Sequence, residues 1–386
     1  MNKIFILSFL ALCSFIHMAR AQEDYKKIHK DLLVVDGHND VIISSILDGK
    51  DISKRLESGH TDIPRLIEGG VDVQVFAVWS DDKRWKTGAF RHANDQIDAL
   101  EKVIKKNKDK IAIAKSVDDI YKLNKKGKIA AVIGIEGGNM IEESVDNLVK
   151  LYKRGAKYLT LAWNYNLSWA TAASVEDKKP HSEQQGLSEK GKKIIHKMNE
   201  LGMMIDLSHG SKKLFYDVLA ITSKPLLVSH SNAAALTPHT RNLDDAQLVA
   251  LKKNKGVVGV NFYSGFLDTA FESRVHQLYD THFGQPVEKM SASHKYDKLP
   301  KDLKFQADAK LDVLLDHIDY LVSKLGIDHV AIGSDYDGIE STPQYLEDVS
   351  KFPILTKALL DRGYKKVDIE KIMGLNFLRV MKENEI

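Results

Sequence analysis

A histidine and an aspartate two residues apart, His38 and Asp40, follow the short apolar run Leu32–Val35. In extended backbone, side chains at that spacing leave the same face. Gly37 lets the chain bend just before them, so an imidazole and a carboxylate converge where a buried strand stops. Such a pair can hold a divalent metal; over these residues alone, a loop with a capping Asp and a solvent-facing His would read the same way. The pattern recurs along the chain. Glu136 ends Ala130–Ile135, His209 follows Met203–Leu207, His230 follows Leu226–Val228 and Asp335 follows Val330–Ile332. Taken singly, each is more simply a structural polar group with its own local partner. Six at equivalent ends of apolar runs point to one shared metal site.

The number of candidate ligands suggests two metals. A mononuclear site uses three or four protein ligands and keeps a position open. Three His and three carboxylates exceed that count, and a Glu can bridge two ions. Paired ions lower the pKa of a shared water and polarise a carbonyl, the arrangement of many hydrolases. The only cysteine, Cys13, lies in the N-terminal apolar run. The mature chain then has no disulfide, no thiolate ligand and no Cys nucleophile. With only N and O donors, zinc is the first choice, with manganese or cobalt able to substitute.

Positioning such residues requires strands that end at one rim. Short apolar runs occur at Leu32–Val35, Val71–Trp79, Ala130–Ile135, Tyr158–Ala162, Met203–Leu207, Leu226–Val228, Val257–Phe262 and Val330–Ile332. Amphipathic stretches such as Asn94–Lys105, Ile141–Arg154, Ser188–Leu201, Asp244–Asn254 and Asp308–Leu325 lie between most of them. This alternation predicts a (β/α)8 TIM barrel with its active site at the C-terminal strand ends. A doubly wound open sheet competes, but no G-x-G-x-x-G loop follows any of these strands. No linker or repeat divides residues 22–386, which are read as one catalytic domain. The connection at about 264–306 is longer than a barrel loop requires and is expected to form a partly helical lid or interface element.

Residues 1–21 contain Lys3, the apolar run Ile4–Ile16 and Ala19-Arg20-Ala21, the layout of a cleavable signal peptide. A secreted or periplasmic protein follows. The run is short for a membrane span, and Leu12 before Cys13 does not suit lipidation. Net charge is +3, with 56 Lys and Arg against 53 Asp and Glu. Lys-rich pieces such as Lys102–Lys110 look like solvated helix faces, so no nucleic-acid partner is expected.

Over nearly its whole length from Asp36 the chain resembles the membrane (renal) dipeptidases and their bacterial relatives, zinc peptidases of the metal-dependent hydrolase superfamily. The resemblance rests on Asp36-Gly37-His38-Asn39-Asp40, Thr61-Asp62-Ile63-Pro64-Arg65-Leu66, Ile135-Glu136-Gly137-Gly138, Tyr158-Leu159-Thr160-Leu161, Asp206-Leu207-Ser208-His209 and Ser229-His230-Ser231. Asp335-Tyr336-Asp337-Gly338, Leu346-Glu347-Asp348-Val349-Ser350 and Gly374-Leu375-Asn376-Phe377-Leu378-Arg379-Val380 extend it towards the C-terminus. It implies two zinc ions per chain, one held by His38, Asp40 and Glu136, the other by Glu136, His209 and His230. It further implies that a metal-bridging hydroxide attacks the peptide bond of a dipeptide, and that Asp335 carries the proton to the leaving amine. Arg241, eleven residues past His230, matches the Arg that binds the terminal carboxylate of the substrate, and the family suggests a homodimer.

The chain departs from the animal pattern at one position. Aligned on Tyr158–Leu161, the His that helps bind the substrate carbonyl is here Trp163. Indole donates one N–H but cannot carry a positive charge. The animal members' disulfides and lipid anchor are also missing from the pattern. Two other functions compete with a dipeptidase. One is a related hydrolase acting on a cyclic amide, a lactone or an N-acyl amino acid, for which Arg241 would lack a carboxylate partner. The other is a noncatalytic metal- or peptide-binding barrel, for which Asp335 would have no task.

Overall fold

The computed structural model describes residues 25–81, 88–284 and 290–386; residues 1–21, read above as a signal peptide, lie outside them. The strands are β1 (Val34–Asp36), β2 (Val71–Trp79), β3 (Ile111–Ile113), β4 (Ile129–Glu136), β5 (Ala156–Thr160), β6 (Met204–Asp206), β7 (Leu227–Ser231), β8 (Val257–Val260) and β9 (Val330–Ile332). All pairings between them are parallel, in the order β1-β2-β4-β5-β6-β7-β8-β9, and β3 pairs only with β4, outside this path. The eight strands of the path match the eight apolar runs. Strand β3 was not anticipated, because Ile111–Ile113 is too short and too close to a Lys-rich helix to stand out.

The first and last strands are stitched together beyond their ends. Gly37 N–H donates to Ile332 O at 3.0 Å, Asp335 N–H to His38 O at 3.1 Å and Asp40 N–H to Tyr336 O at 2.9 Å. Asp36 reinforces this seam, accepting from Ser334 N–H at 2.9 Å and Ser334 Oγ at 2.7 Å. The result is a closed (β/α)8 barrel.

Alternation along each strand divides the core into two layers. Val35, Val73, Val75, Ala130, Val132, Met204, Leu227, Val257 and Ala331 pack inside the barrel with Phe377, Leu378 and Met381 of the C-terminal helix Asn376–Asn384. Ala131, Ile133 and Ile135 pack outward against the helices. Glu136 shares the parity of Ala130 and Val132, so its carboxylate faces the barrel axis at the rim. The predicted helices stand with caps at their starts. Ser188 accepts from Gly191 N–H ahead of Glu189–Leu201, and Asp244 forms a capping box with Gln247 ahead of Asp245–Lys253.

The long connection is helical over Ser264–Leu267, Phe271–Phe283, Ala292–Lys298 and Lys301–Ala307. It has its own apolar cluster, including Phe271, Val275, Tyr279 and Tyr296. Within it Tyr296 OH donates to the Asp308 carboxylate at 2.6 Å. Burial is the main cause of an Asp308 carboxyl pushed up to about 7. Between about pH 4 and pH 7 the folded chain therefore holds a proton that the unfolded chain has released, so stability falls as pH rises through that window and levels off above it. Asp308→Asn should remove this dependence and be more stable than the parent at pH 8 by about 2–4 kcal/mol. Urea midpoints of both proteins at pH 5 and pH 8 check it; equal shifts with pH would contradict the expectation.

Candidate metal centre and substrate cleft

The side chains singled out at the strand ends meet at one point. His38, Asp40, Glu136, His209 and His230 are all buried. The ligand atoms of His38, Asp40 and Glu136 lie within 4.8 Å of one another, as do those of Glu136, His209 and His230, and those of His38, His230 and Asp335. Glu136 belongs to the first two groups. Its Oε1 is 3.0 Å from His209 Nε2 and 3.6 Å from His230 Nε2, and its Oε2 is 3.4 Å from His38 Nε2. His38 Nε2 is also 3.4 Å from Asp40 Oδ2 and 3.9 Å from Asp335 Oδ1.

The partners behind these residues set which ring nitrogen faces inward. His209 Nδ1 meets Asn164 Oδ1 at 2.8 Å, which has no hydrogen to offer, so Nδ1 carries the proton. His230 Nδ1 meets Ser229 Oγ at 2.8 Å while that hydroxyl donates to Asp206 Oδ2 at 2.7 Å, so here too Nδ1 is the donor. Both Nε2 lone pairs then point into the site, 3.0 Å apart. Two lone pairs at that distance repel unless a cation sits between them. His38 Nδ1 is held by Tyr158 OH at 2.8 Å, while His38 Nε2 and Asp40 Oδ1 are buried without a hydrogen-bond partner among the described residues. Orphaned inward nitrogens and a spare carboxylate oxygen, with no thiol, form a donor set that fits one or two divalent metals.

Charge inside the cluster is strongly redistributed. Burial penalises the Glu136 carboxylate, but His38 beside it outweighs that and holds the group well below its ordinary range. Burial, followed by Arg241, lowers His209 to about 4, and burial with His38 and Arg241 holds His230 well below its ordinary value. Both are neutral imidazoles at pH 7, the form that ligates. Asp335 is raised by burial and by Asp40 beside it. Its Oδ2 accepts from Asn261 Nδ2 at 2.8 Å, which leaves Oδ1 towards His38. Asp335 and His209 both have left-handed backbone, φ 64° and 65°, local strain of a kind that clusters at functional sites.

A cleft of about 490 Å³ opens over the cluster. Arg241 lines it and is buried, with Nη2 donating to His230 O at 3.2 Å and Nη1 to Ser231 Oγ at 3.4 Å, while Nε has no partner among the described residues. Among the described residues no carboxylate pairs with it. Burial lowers its guanidinium to about 10, so it remains cationic at neutral pH. Trp163 lines the same cleft, its ring centroid 5.0 Å from that of Trp79 and 6.3 Å from His209. Gly338 lies against the carboxylates, where a Cβ would fall 2.3 Å from Asp40 Oδ2 and 2.6 Å from Asp335 Oδ1.

All the residues expected from the sequence are thus gathered here. The ones it did not single out are the supports: Tyr158, Asn164, Ser229, Asn261 and Trp79. Asn261 and Trp79 did carry a signal, as polar or aromatic residues at strand ends. Tyr158 entered only as the head of the Tyr158–Leu161 motif, with no role attached, because it sits inside a strand. Its ring occupies the space that a side chain at Gly134 would need, with a Cβ there only 2.2 Å from Tyr158 Cζ.

Comparison with known proteins agrees with this geometry. Residues 22–386 match the sequence model of the membrane dipeptidases, peptidase family M19. An uncharacterized dipeptidase of Schizosaccharomyces pombe is 34% identical over 386 residues, spanning 95% of this chain and 84% of that protein. Among solved structures, a probable dipeptidase of Pseudomonas aeruginosa superposes with a TM-score of 0.79 at 25% identity, covering 95% of this chain and 99% of that one. A metallo peptidase of Rhodobacter sphaeroides, liganded with a phosphinate mimic of the dipeptide L-Ala-D-Ala, superposes with a TM-score of 0.73 at 25% identity, covering 92% of this chain and 99% of that one.

Proposed function

The chain belongs to the membrane dipeptidase family, and from that premise we propose that it is a binuclear zinc dipeptidase. The observation that carries this reading is the convergence of three imidazole Nε2 atoms on the Glu136 carboxylate, with His38 Nε2 and Asp40 Oδ1 buried and unpartnered. His38, Asp40 and Glu136 would hold one ion, and Glu136, His209 and His230 the other. Bound there, the ions would supply an activated water and a Lewis acid for the scissile carbonyl.

The remaining steps fall to the protein. Arg241 takes the terminal carboxylate of the dipeptide and thereby fixes which peptide bond lies over the cluster. Asp335, held on one oxygen by Asn261, keeps the other free to accept the water's proton and pass it to the leaving amine. The cleft's volume of about 490 Å³ suits a short substrate. Among the described residues no helix is long and apolar enough to cross a membrane; the signal peptide read in the sequence at residues 1–21 is what supports a secreted or periplasmic location.

The test is a screen of L-L, L-D and D-L dipeptides after zinc, manganese or cobalt is returned to chelator-treated protein. The L-Ala-D-Ala mimic carried by the Rhodobacter sphaeroides peptidase supports placing a D-residue at the second position in that panel. Metal-restored hydrolysis of several dipeptides, with metal analysis near two ions per chain, is the expected result. Hydrolysis of N-acyl amino acids or lactones but of no dipeptide would replace this reading with the related hydrolase.

Two substitutions probe the support around the cluster. Tyr158→Phe removes the hydroxyl that orients His38 and should weaken metal affinity about 10–100-fold; unchanged affinity in a chelator competition would mean that packing alone positions the ring. Trp163→Ala opens the aromatic wall beside His209. It should change relative kcat/KM among dipeptides of different side-chain size by about tenfold, the scale of one or two methylenes in an apolar pocket, while metal content stays the same. A uniform loss across the panel would show that Trp163 does not select the substrate.

A further inference from the structure

Opposite the Trp79–Trp163 wall, the cleft is lined by residues that follow β7, β8 and β9. A continuous series of contacts runs along this side. The Arg241 guanidinium carbon lies 5.4 Å from the Phe266 ring centroid, the Phe266 and Tyr263 rings are 4.9 Å apart, and Tyr263 OH donates to Glu340 Oε1 at 3.0 Å. All four residues line the cleft. Glu340 stands two residues after Gly338, whose backbone abuts Asp40 and Asp335.

Glu340 is partly buried, and among the described residues it forms no ion pair; the bond from Tyr263 is its one side-chain hydrogen bond. The metal cluster does not use it. Burial and the nearby Glu340 raise the Tyr263 phenol, so it stays protonated and holds one carboxylate oxygen in place. The other oxygen is left for a cation, and a fixed carboxylate in a partly desolvated wall favours one. Lys178, which also lines the cleft, is exposed, and among the described residues it forms no such fixed arrangement.

We infer that Glu340, oriented by Tyr263, selects a Lys or Arg side chain on the carboxy-terminal residue of the dipeptide. The inference rests on the dipeptidase reading and on Arg241 taking the terminal carboxylate. A residue whose carboxylate is at Arg241 extends its side chain along the Phe266–Tyr263 side, and the long stem of Lys or Arg covers those rings while its charge reaches Glu340. The aromatic wall across the cleft suits an apolar side chain on the amino-terminal residue.

The test compares kcat/KM for Ala-Lys, Ala-Met and Lys-Ala in the metal-loaded protein and in the variants Glu340→Gln, Glu340→Asp and Tyr263→Phe. Met matches the length of Lys without its charge. The parent should prefer Ala-Lys over Ala-Met. That ratio should fall about tenfold or more in Glu340→Gln, less in Tyr263→Phe, and largely persist in Glu340→Asp. Added salt should lower it in the parent and leave it nearly flat in Glu340→Gln. No preference in the parent, an unchanged ratio in Glu340→Gln, or an effect confined to Lys-Ala would overturn the inference while leaving a working dipeptidase. Failure of the loaded parent to cleave any of the three while it cleaves other dipeptides of the L-L, L-D and D-L panel would overturn the inference alone; failure on the whole panel would remove the dipeptidase reading and the inference together.

Discussion

Glu136→Gln should lower kcat/KM by at least about a hundredfold and leave the protein with fewer than two metals. The side chain is the point that all three histidines share, with Oε1 3.0 Å from His209 Nε2 and Oε2 3.4 Å from His38 Nε2. A carboxylate offers each ion an anionic oxygen. An amide offers one neutral oxygen, and its NH2 would face an inward nitrogen that has to remain free for metal. The fold should survive, because Gln has the same shape and can hydrogen-bond to His209 or His230. Metal analysis of the purified variant beside its melting curve separates these effects. Two retained metals with near-normal turnover would remove Glu136 from the site.

Arg241→Ala should reduce kcat/KM on dipeptides at least about thirtyfold, from the roughly 2–5 kcal/mol that truncating a buried charge pair costs. Among the described residues no carboxylate forms an ion pair with this guanidinium. Its bonds go to His230 O and Ser231 Oγ, Nε is unpartnered, and burial has lowered it to about 10 without discharging it. A buried cation left waiting in this way is costly in the free protein and is satisfied by a carboxylate arriving with substrate. A dipeptide amide lacks that carboxylate, so it should be a poor substrate for the parent and lose little further in the variant. Equal losses on both substrates would show that Arg241 supports the site by some other route. Since Arg241 also helps depress His209 and His230, metal content should be measured alongside.

These two residues illustrate how differently parts of the site were written into the chain. Glu136 could be found because a strand buried on both faces reads as an apolar run, and a charged residue ending that run has to be explained. The same local rule marked His38, Asp40, His209, His230 and Asp335, and eight such runs with helices between them were enough for a barrel. Arg241 could not be found that way. It lies on a loop, where an Arg is ordinarily solvated, and it was identified only through a family resemblance.

The sequence by itself determined the eight strands of the barrel path, though not β3, their order of alternation with helices, and the polar residues that end them, since each depends on periodicity within a few residues. Tertiary structure decided which of those ends share a point in space. Closure between β9 and β1 sets Asp335 beside His38 through the Asp335 N–H to His38 O bond, a pairing between residues almost three hundred apart. It also decided the supports. Tyr158 reads as a strand residue and Asn164 as a loop residue; their roles arise only because Gly134 leaves room for one ring and a loop brings the amide to His209. A residue that ends a buried strand announces itself by its cost there. A residue that only orients another has an ordinary local environment, and its role exists only once the distant strands have paired.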